Sequence, residues 1–243
     1  MKNKFKSILQ NILGFNNYLF VFSIFKILTL KFDKEEGKFL NFLKLLPKDA
    51  VVLDIGANIG IMTVLLAKRC TNGQIHSFEP IDENYNTLIK IIDFFRLKNV
   101  KSYKLALGER NAKAKMIMPI NNSIKLQGLP HVITENDSNE KGNEYEVELK
   151  SLDSFGNNEL KKIHAIKIDV ENYEYFVFKG AQNLLMRDKP IIYTELWDNE
   201  FRIKTIEFLS SLGYEVNVFD NNSFEKFDPA IHITENFFFF PTD

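Results

Sequence analysis

Two acidic side chains and a turn that contains two glycines are the residues of this sequence with the clearest chemical meaning. Asp54 follows the apolar run 51–53 and precedes the turn 55–60 (Ile-Gly-Ala-Asn-Ile-Gly), and Glu79 follows a second predicted strand, 74–78. Glycine lets the backbone approach a ligand closely. The glycine spacing differs from Gly-x-Gly-x-x-Gly, and Asp54 would repel a diphosphate, so a dinucleotide ligand is disfavoured.

The two acids indicate which ligand the turn binds. An acid at the end of the second strand of such a fold usually binds ribose hydroxyls, and Glu79 occupies that place in the segment Phe78-Glu79-Pro80. Asp54, at the end of the preceding strand, suits a cation or a hydroxyl or amine donor. We therefore expect a nucleoside that also carries an amino-acid part, and S-adenosylmethionine has both.

The elements that position these acids alternate between short β-branched strands and helices with apolar residues on one face. We predict strands at 51–53, 74–78, 101–107, 163–170, 190–196, 214–219 and 236–240, with helices at 60–69, 82–96 and 198–212 among them. Such alternation predicts an α/β fold with a doubly wound parallel sheet. No helix separates the last two strands, so we expect them to pair antiparallel at one edge of the sheet.

Residues 110–152 break this alternation and are predicted to form an insertion between the third and fourth strands. Segments 113–118 and 145–149 have strand character, and the acidic, turn-rich segment 134–144 lies between them. We interpret the insertion as a hairpin or small sheet that lies over the active site.

Composition limits the class of protein. The 243 residues carry 31 Lys and Arg against 32 Asp and Glu, a net charge of −1, so the basic field that engages nucleic-acid phosphates is missing. Cys70 is the only cysteine, so no intrachain disulfide can form, which fits a reducing, cytoplasmic compartment. The length predicts one large domain, residues 49–243, preceded by a helical segment, residues 1–48.

Residues 1–34 differ in character from the rest of the chain. They hold six Lys against the single acid Asp33, and an apolar-leaning stretch of 19 residues lies between Lys6 and Lys26. A membrane-spanning helix would bury the four side-chain amides of that stretch in lipid, so we expect two short helices packed on the main domain. The alternative is a basic surface that contacts anionic lipid, a peripheral contact at the inner face of a membrane.

Five motifs in order resemble the FkbM family of S-adenosylmethionine-dependent methyltransferases. They are Leu-Asp-Ile-Gly-Ala-Asn-Ile-Gly at 53–60, Phe-Glu-Pro at 78–80 with Asn84, Ala-Leu-Gly at 106–108, Ser-Leu-Asp-Ser at 151–154 and Ile-Lys-Ile-Asp-Val-Glu-Asn at 166–172. The last motif has Asn172 where the family usually has Gly. The resemblance covers about residues 50–240. It implies the class I methyltransferase fold, a Rossmann-like sheet of strand order 3-2-1-4-5-7-6 with the last strand antiparallel.

The resemblance also implies which residues hold S-adenosylmethionine and its product, S-adenosylhomocysteine. Five residues would line the methionine part, namely Asp54, Gly56, Ala57, Asn58 and Gly60. Glu79 would hold the ribose hydroxyls with help from Asn84. Ala106 and Leu107 would lie near the adenine, and Asp169 would lie beside the transferred methyl group.

The catalytic step implies a base and an acceptor pocket. A hydroxyl that attacks a methyl group must lose its proton near the transition state. Asp169, at the end of the fourth strand, is the first candidate base, and Glu171 is the second. Around the acceptor we expect His131 of the insertion, together with Glu195 and Trp197 at the end of the fifth strand.

No metal ion is expected at this site, although one alternative has to be considered. Some catechol-type O-methyltransferases hold Mg²⁺ with an acid and an Asp-Asn pair at places that correspond to Asp169, Asp198 and Asn199, and oxygen ligands suit that ion. Asp198 can equally be the N-cap of the next helix. The FkbM family is not generally metal-dependent.

The predicted reaction is methylation of a hydroxyl oxygen. The resemblance implies a carbohydrate acceptor in a polysaccharide, a glycolipid or a nucleotide-linked sugar. A macrolide-like natural product is a second hypothesis, and a cofactor-binding protein without transferase activity is a third. A nucleic-acid acceptor is disfavoured by the charge and by residues 169–172, which differ from the Asn/Asp-Pro-Pro-Tyr/Phe element of nucleic-acid methyltransferases. The oligomeric state is left open.

Overall fold

The computed structural model describes residues 9–33, 36–121, 124–133, 141–160 and 162–242. Eight of the strands in these ranges form the central sheet, and five form a second sheet. In chain order the strands are β1 (Val51–Ile55), β2 (Gln74–Phe78), β3 (Val100–Tyr103), β4 (Ala106–Leu107), β5 (Ala112–Asn121), β6 (Ile124–Lys125), β7 (His131–Val132), β8 (Gly142–Lys150), β9 (Ala165–Ile168), β10 (Ile191–Glu195), β11 (Tyr214–Asp220), β12 (Ser223–Lys226) and β13 (Asn236–Pro241). The α-helices are α1 (Phe15–Thr29), α2 (Phe39–Leu45), α3 (Ile61–Arg69), α4 (Asp82–Phe94), α5 (Leu152–Glu159), α6 (Glu174–Lys179), α7 (Gln182–Asp188) and α8 (Glu200–Ser211).

Parallel pairing runs through the middle of the central sheet. Its order is β3-β2-β1-β9-β10-β13-β11-β12, and the neighbours from β3 to β10 are parallel. β13 lies between β10 and β11 and pairs antiparallel with both. The predicted α/β class with a parallel sheet is confirmed.

The edge of the sheet beyond β11 differs from the prediction. The last two predicted strands do pair with each other, but neither is the edge strand, because β12 pairs antiparallel with the outer side of β11. Asn221 and Asn222, which connect β11 to β12, both have positive φ, as in a two-residue hairpin turn. The Asn-Asn pair was the local signal for this hairpin.

The predicted third strand, 101–107, divides between two sheets. β3 ends at Tyr103 beside β2, whereas β4 pairs parallel with β8 in a second sheet. An apolar segment such as 105–107 suits a strand in either sheet, so its periodicity does not reveal where the chain changes sheet. The change places Leu105, Ala106 and Leu107 in the wall of a cleft.

The insertion forms that second sheet. Its order is β4-β8-β5-β6, with β7 also paired to β5, and β5 and β8 form a long antiparallel ladder. The predicted strands 113–118 and 145–149 are confirmed as parts of β5 and β8. Of the predicted loop 134–144, residues 134–140 lie outside the described residues. Met116 and Val132 of this sheet line the same cleft as β4, so the insertion forms part of the wall of that cleft.

The N-terminal helices pack on the helices that flank the sheet. Residues 9–13 are helical, Gly14 adopts a φ of 70°, and α1 follows. Leu19 of α1 packs with Ile59, and Ile27 packs on α3 and α4. Two short helices were predicted here, and residues 1–8, with three of the six lysines, lie outside the described residues. Within the described ranges, no helix combines the length and the apolar character that crossing a bilayer requires.

Candidate active site

Two adjoining clefts lie at the carboxyl ends of the parallel strands, where α/β folds bind their ligands. The first cleft is lined by residues that include Glu79, Asn84, Ala106, Leu107 and Glu171. The second cleft is lined by residues that include Ala57, Lys167, Tyr193, Glu195 and Asn236. Gly56, Asn58, Gly128 and Asp169 line both.

Glu79 is held in the wall of the first cleft by two backbone amides. Its Oε2 accepts a hydrogen bond from the N–H of Asn58 (2.8 Å), and its Oε1 accepts one from the N–H of Ile81 (2.9 Å). Burial raises the pKa of Glu79 to about 7, although both amide bonds act to lower it. Each carboxylate oxygen has a further lone pair, so both can still accept a hydroxyl. This arrangement suits the predicted contact with ribose.

Three buried acceptors at the clefts have no donor within the described protein: Asn58 Oδ1, Asn84 Oδ1 and Gln127 Oε1. Asn58 lines both clefts, Asn84 lines the first and Gln127 lines the second. Buried polar atoms are normally paired, so unpaired acceptors indicate a ligand that donates hydrogen bonds. S-adenosylmethionine carries an ammonium group, an amino group and two hydroxyls as donors, and the residues present therefore fit it.

An apolar wall completes the first cleft. Ala106 and Leu107 line it with Met116 and Val132 of the second sheet, and with Tyr173. Apolar and aromatic surfaces of this kind suit a flat purine base. The predicted adenine contact of Ala106 and Leu107 is compatible with this placement.

The two positions of the turn that hold glycine require it for different structural reasons. Gly56 has a φ of 72°, and a Cβ there would lie 1.9 Å from the carbonyl oxygen of Asp169. Gly60 has a φ of 84°, and a Cβ there would lie 3.0 Å from Leu88 of α4. Gly60 lines neither of the two clefts, so the expected close approach to a ligand concerns Gly56, whereas Gly60 lets α4 pack on the turn.

Asp54 lies beneath the turn and lines neither of the two clefts, and its expected contact with the methionine part stays a prediction. Its fully buried Oδ2 accepts a hydrogen bond from Thr63 Oγ1 at 2.5 Å, and its Oδ1 lies 3.6 Å from Lys167 Nζ. Burial raises the pKa of Asp54, and the Lys167 ammonium opposes that rise. The partner of Asp54 is therefore a cation of the protein itself.

Lys167 is the functional residue that the motifs left without a role. It is buried on β9 between Ile166 and Ile168. Its Nζ donates to the carbonyl oxygen of Gly56 at 2.9 Å and lies 4.0 Å from Asp169 Oδ2. Lysine is almost never fully buried unless it is paired, so a lysine within an apolar strand was the signal that pointed to it. Lys167 connects the glycine turn to the carboxylate that follows β9.

Several carboxylates surround the end of β9, and Asp169 is the one that borders both clefts, with a side chain that is 42% exposed. Burial, reinforced by the charges of Asp169 and Glu195, raises the pKa of Glu171 to about 9. Burial also raises the pKa of Glu174 to about 8, although Glu174 accepts a hydrogen bond from the Val170 N–H. Burial and the neighbouring carboxylates therefore favour the protonated forms of Glu171 and Glu174.

Asn172, which stands where the family motif usually has Gly, has a φ of 71°. Gly adopts this left-handed conformation most easily, and Asn tolerates it better than most other residues do. Its Oδ1 accepts a hydrogen bond from Asn199 Nδ2 at 2.7 Å, and Asn199 Oδ1 accepts one from the Phe201 N–H at the start of α8. The N-cap of α8 is therefore Asn199 and not Asp198, which pairs with Arg202 at 3.0 Å. Asp198 and Asn199, two of the three residues considered for Mg²⁺, are thus engaged at the start of α8.

The three residues expected around the acceptor separate in the structure. Glu195 lines the second cleft. His131 lies on β7 with its Nδ1 3.1 Å from the carbonyl oxygen of Leu129, while Val132 lines the first cleft. Alternation along a strand turns neighbouring side chains to opposite faces. Trp197 is exposed beyond β10. His131 and Trp197 line neither of the two clefts, so their expected acceptor contact stays a prediction.

The second cleft also contains residues that no local motif indicated. Phe22 and Lys26 of α1 line it, together with Gln127 of the insertion, Tyr193 of β10 and Asn236 of β13. These residues come from four distant parts of the chain. Only the tertiary fold brings them together beside Asp169.

The fold and the site together define a class I S-adenosylmethionine-dependent methyltransferase. The parallel sheet, the glycine turn after β1 and the acid after β2 are its defining parts. The chain belongs to the FkbM methyltransferase family, because the family described as Methyltransferase FkbM domain matches residues 54–216. As a methyltransferase of this family, the chain has S-adenosylmethionine as its cofactor.

Two curated proteins are similar in sequence. Methyltransferase 1 of Beauveria bassiana is 24% identical over 186 residues, which span 71% of this chain and 75% of that protein. The AMB antimetabolite synthetase AmbE of Pseudomonas aeruginosa is 24% identical over 186 residues, which span 63% of this chain and 9% of that protein. The chain thus corresponds to a small part of AmbE.

Many solved structures share the fold, and two of them serve as examples. Methyltransferase FkbM from Methylobacillus flagellatus superposes with a TM-score of 0.55 at 14% identity, over 81% of this chain and 45% of that one. A methyltransferase from Streptococcus mutans, determined with SAH (S-adenosylhomocysteine), superposes with a TM-score of 0.52 at 11% identity, over 85% of this chain and 96% of that one. This chain spans less than half of the Methylobacillus chain.

S-adenosylmethionine and S-adenosylhomocysteine are expected to raise the melting temperature of the protein, and NAD is not. A ligand at 100 times its Kd adds about 2.7 kcal/mol to the free energy of unfolding. For a chain of this size that corresponds to roughly 5–10 °C. Differential scanning fluorimetry with the three ligands measures this. Equal stabilisation by NAD would contradict the assignment of the clefts to a sulfur nucleoside.

Proposed function

We propose that this protein methylates a hydroxyl oxygen of a carbohydrate, with S-adenosylmethionine as the methyl donor and Asp169 as the base. The observation that carries the proposal is the position of Asp169, which borders both clefts. Glu79, the unpaired acceptors of Asn58 and Asn84, and the apolar wall support a cofactor position in the first cleft and the turn. The second cleft is then the place for the acceptor, and the two meet at Asp169.

The protein contributes a base and a fixed geometry to the reaction. Bound S-adenosylmethionine supplies a methyl group on a positively charged sulfur, and a hydroxyl oxygen displaces that sulfur. Asp169 accepts the hydroxyl proton, while Lys167, tied to the carbonyl oxygen of Gly56, orients the carboxylate and balances its charge. Glu171 holds its proton and acts as a hydrogen-bond donor rather than as a second base. Positioning of two reactants in this way supplies much of the rate.

The lining of the second cleft supports a sugar acceptor. Phe22 offers aromatic surface, and Gln127, Glu195 and Asn236 offer amide and carboxyl groups. A sugar ring presents C–H surface on its faces and hydroxyls on its edges, so a cleft of mixed aromatic and polar side chains matches it.

A natural-product acceptor is the second candidate. The similarity to a segment of an antimetabolite synthetase favours it. Such an acceptor would also present a hydroxyl to Asp169, so the base and the cofactor site would be the same.

The test uses methyl-labelled S-adenosylmethionine and three soluble acceptors: a nucleotide-linked hexose, a macrolide with free hydroxyls, and an amino sugar as a nitrogen control. We expect label in the hexose as an O-methyl ether, with one S-adenosylhomocysteine formed per methyl transferred. Label in the macrolide alone would support the second candidate. Label on nitrogen, or cofactor binding without transfer to any acceptor, would refute hydroxyl methylation of a sugar.

A further inference from the structure

The outward face of α1 is an apolar stripe. Val21, Phe25 and Leu28 of α1, and Phe32 just after it, are 52%, 59%, 65% and 76% exposed. Their spacing of four, three and four residues places them on one side of the helix. The stripe is about 16 Å long, at a rise of about 1.5 Å per residue.

The opposite face of α1 is apolar as well. Leu19 and Ile27 are buried against the rest of the protein. A helix that is apolar all round normally buries both faces, so the stripe lacks its partner in the described structure. Phe94 of α4, 57% exposed and 5.6 Å edge-on from Phe20 of α1, extends the exposed apolar surface to a second helix.

The charge of the segment identifies the partner. Residues 1–38 contain seven Lys and three acids, whereas the remaining residues contain 24 basic and 29 acidic side chains. We infer that the stripe lies in the surface of a bilayer that contains anionic lipid, with α1 parallel to the membrane plane. Anionic headgroups attract the lysines while acyl chains bury the stripe. A second copy of the chain would instead bring two equally basic segments together.

The same helix borders the second cleft. Phe22 and Lys26 line that cleft, and their sequence neighbours Val21 and Phe25 belong to the stripe. A bilayer on the stripe would therefore lie beside the mouth of the acceptor cleft. The position of the bilayer beside the acceptor cleft matters only if the proposed function is right, on which this inference rests. It specifies the class of acceptor as a glycan that is attached to lipid.

Co-sedimentation of the full chain with vesicles tests the inference. We compare phosphatidylcholine vesicles with vesicles that also contain phosphatidylglycerol, at low and high salt. The stripe variant carries Phe25→Gln and Leu28→Gln. The matched control is Ile203→Gln on α8, a side chain that is 59% exposed, as Phe25 is.

We expect wild type and Ile203→Gln to sediment with phosphatidylglycerol vesicles at low salt, and less at high salt because salt screens the lysines. The stripe variant should partition at least about tenfold less, since two large apolar side chains no longer leave water. The melting-temperature rise with S-adenosylhomocysteine should be the same in all three proteins, which shows that they are folded.

Three outcomes would overturn the inference. The first is wild type that stays in the supernatant with phosphatidylglycerol vesicles, and the second is a stripe variant that sediments like wild type. The third is a dimer of wild type, seen by sedimentation velocity, that the stripe variant does not form. A second copy of the chain would then be the partner. Methylation of a soluble acceptor without vesicles separates these failures from a failure of the proposed function.

Discussion

Replacing Asp169 by Asn is expected to lower kcat about 10²–10⁴-fold, the usual contribution of a positioned general base. The amide keeps the size of the side chain but cannot take the hydroxyl proton. Lys167 keeps its bond to the Gly56 carbonyl and its pair with Asp54, so the turn should stay in place. Isothermal titration with S-adenosylhomocysteine should therefore give a Kd within about threefold of wild type.

The matched control for Asp169 is Glu171→Gln. Because the pKa of Glu171 is raised to about 9, this residue is already a neutral donor at pH 7, and Gln imitates it. We expect kcat to change less than about tenfold. A large loss in Glu171→Gln together with a small loss in Asp169→Asn would exchange the roles of the two acids. Equal retention in both variants would show that neither accepts the proton.

Replacing Glu79 by Ala is expected to weaken S-adenosylhomocysteine binding by about 100-fold or more, because hydrogen bonds to a charged group contribute about 1.5–3 kcal/mol each. The change removes the acceptor of the ribose hydroxyls and also the acceptor of the Asn58 and Ile81 N–H groups. Isothermal titration measures the affinity. An unchanged Kd would show that the ribose lies elsewhere.

A control is needed because Glu79→Ala also leaves two N–H groups unpaired, which lowers stability. Asn99→Ala is the matched variant, since Asn99 Nδ2 donates to the carbonyl oxygens of Ala67 and Cys70. Its melting temperature should fall, whereas its Kd for S-adenosylhomocysteine should equal that of wild type. If Asn99→Ala weakens binding as much as Glu79→Ala does, the loss reflects stability and not ribose contact.

The raised pKa of Glu79 adds a pH dependence to the same measurement. Hydroxyl donors favour the ionised carboxylate, so below the pKa of about 7 a proton must leave before the ligand binds. The Kd should therefore rise several-fold as pH falls from about 8 to about 6. The Glu79 contribution to the free energy of unfolding should rise over the same fall in pH, because the folded state holds this proton more tightly than the unfolded chain does. In Glu79→Gln, the contribution of residue 79 to the pH dependence of the Kd and of the free energy of unfolding should be lost.

The sequence by itself determined the class of fold and the type of cofactor. Strand and helix periods are local properties, so the segments around β1, β2, β9 and β10 could be located from apolar spacing. The glycine turn and Glu79 could be interpreted for the same reason, since the position of each relative to its own strand defines its role. The insertion was recognised because its polar segment interrupted that regular pattern.

The tertiary structure decided which side chains meet. The period of a two-residue strand does not say which face is covered, so only the packing of β7 on β5 shows that Val132, and not His131, lines the first cleft. The second cleft is assembled from α1, the insertion, β10 and β13, which are far apart in sequence. Lys167 acquires a role only because β9 lies beside β1, so that its ammonium reaches the carboxylate of Asp54 and the carbonyl of Gly56. Such contacts depend on long-range strand pairing, which a local pattern does not contain.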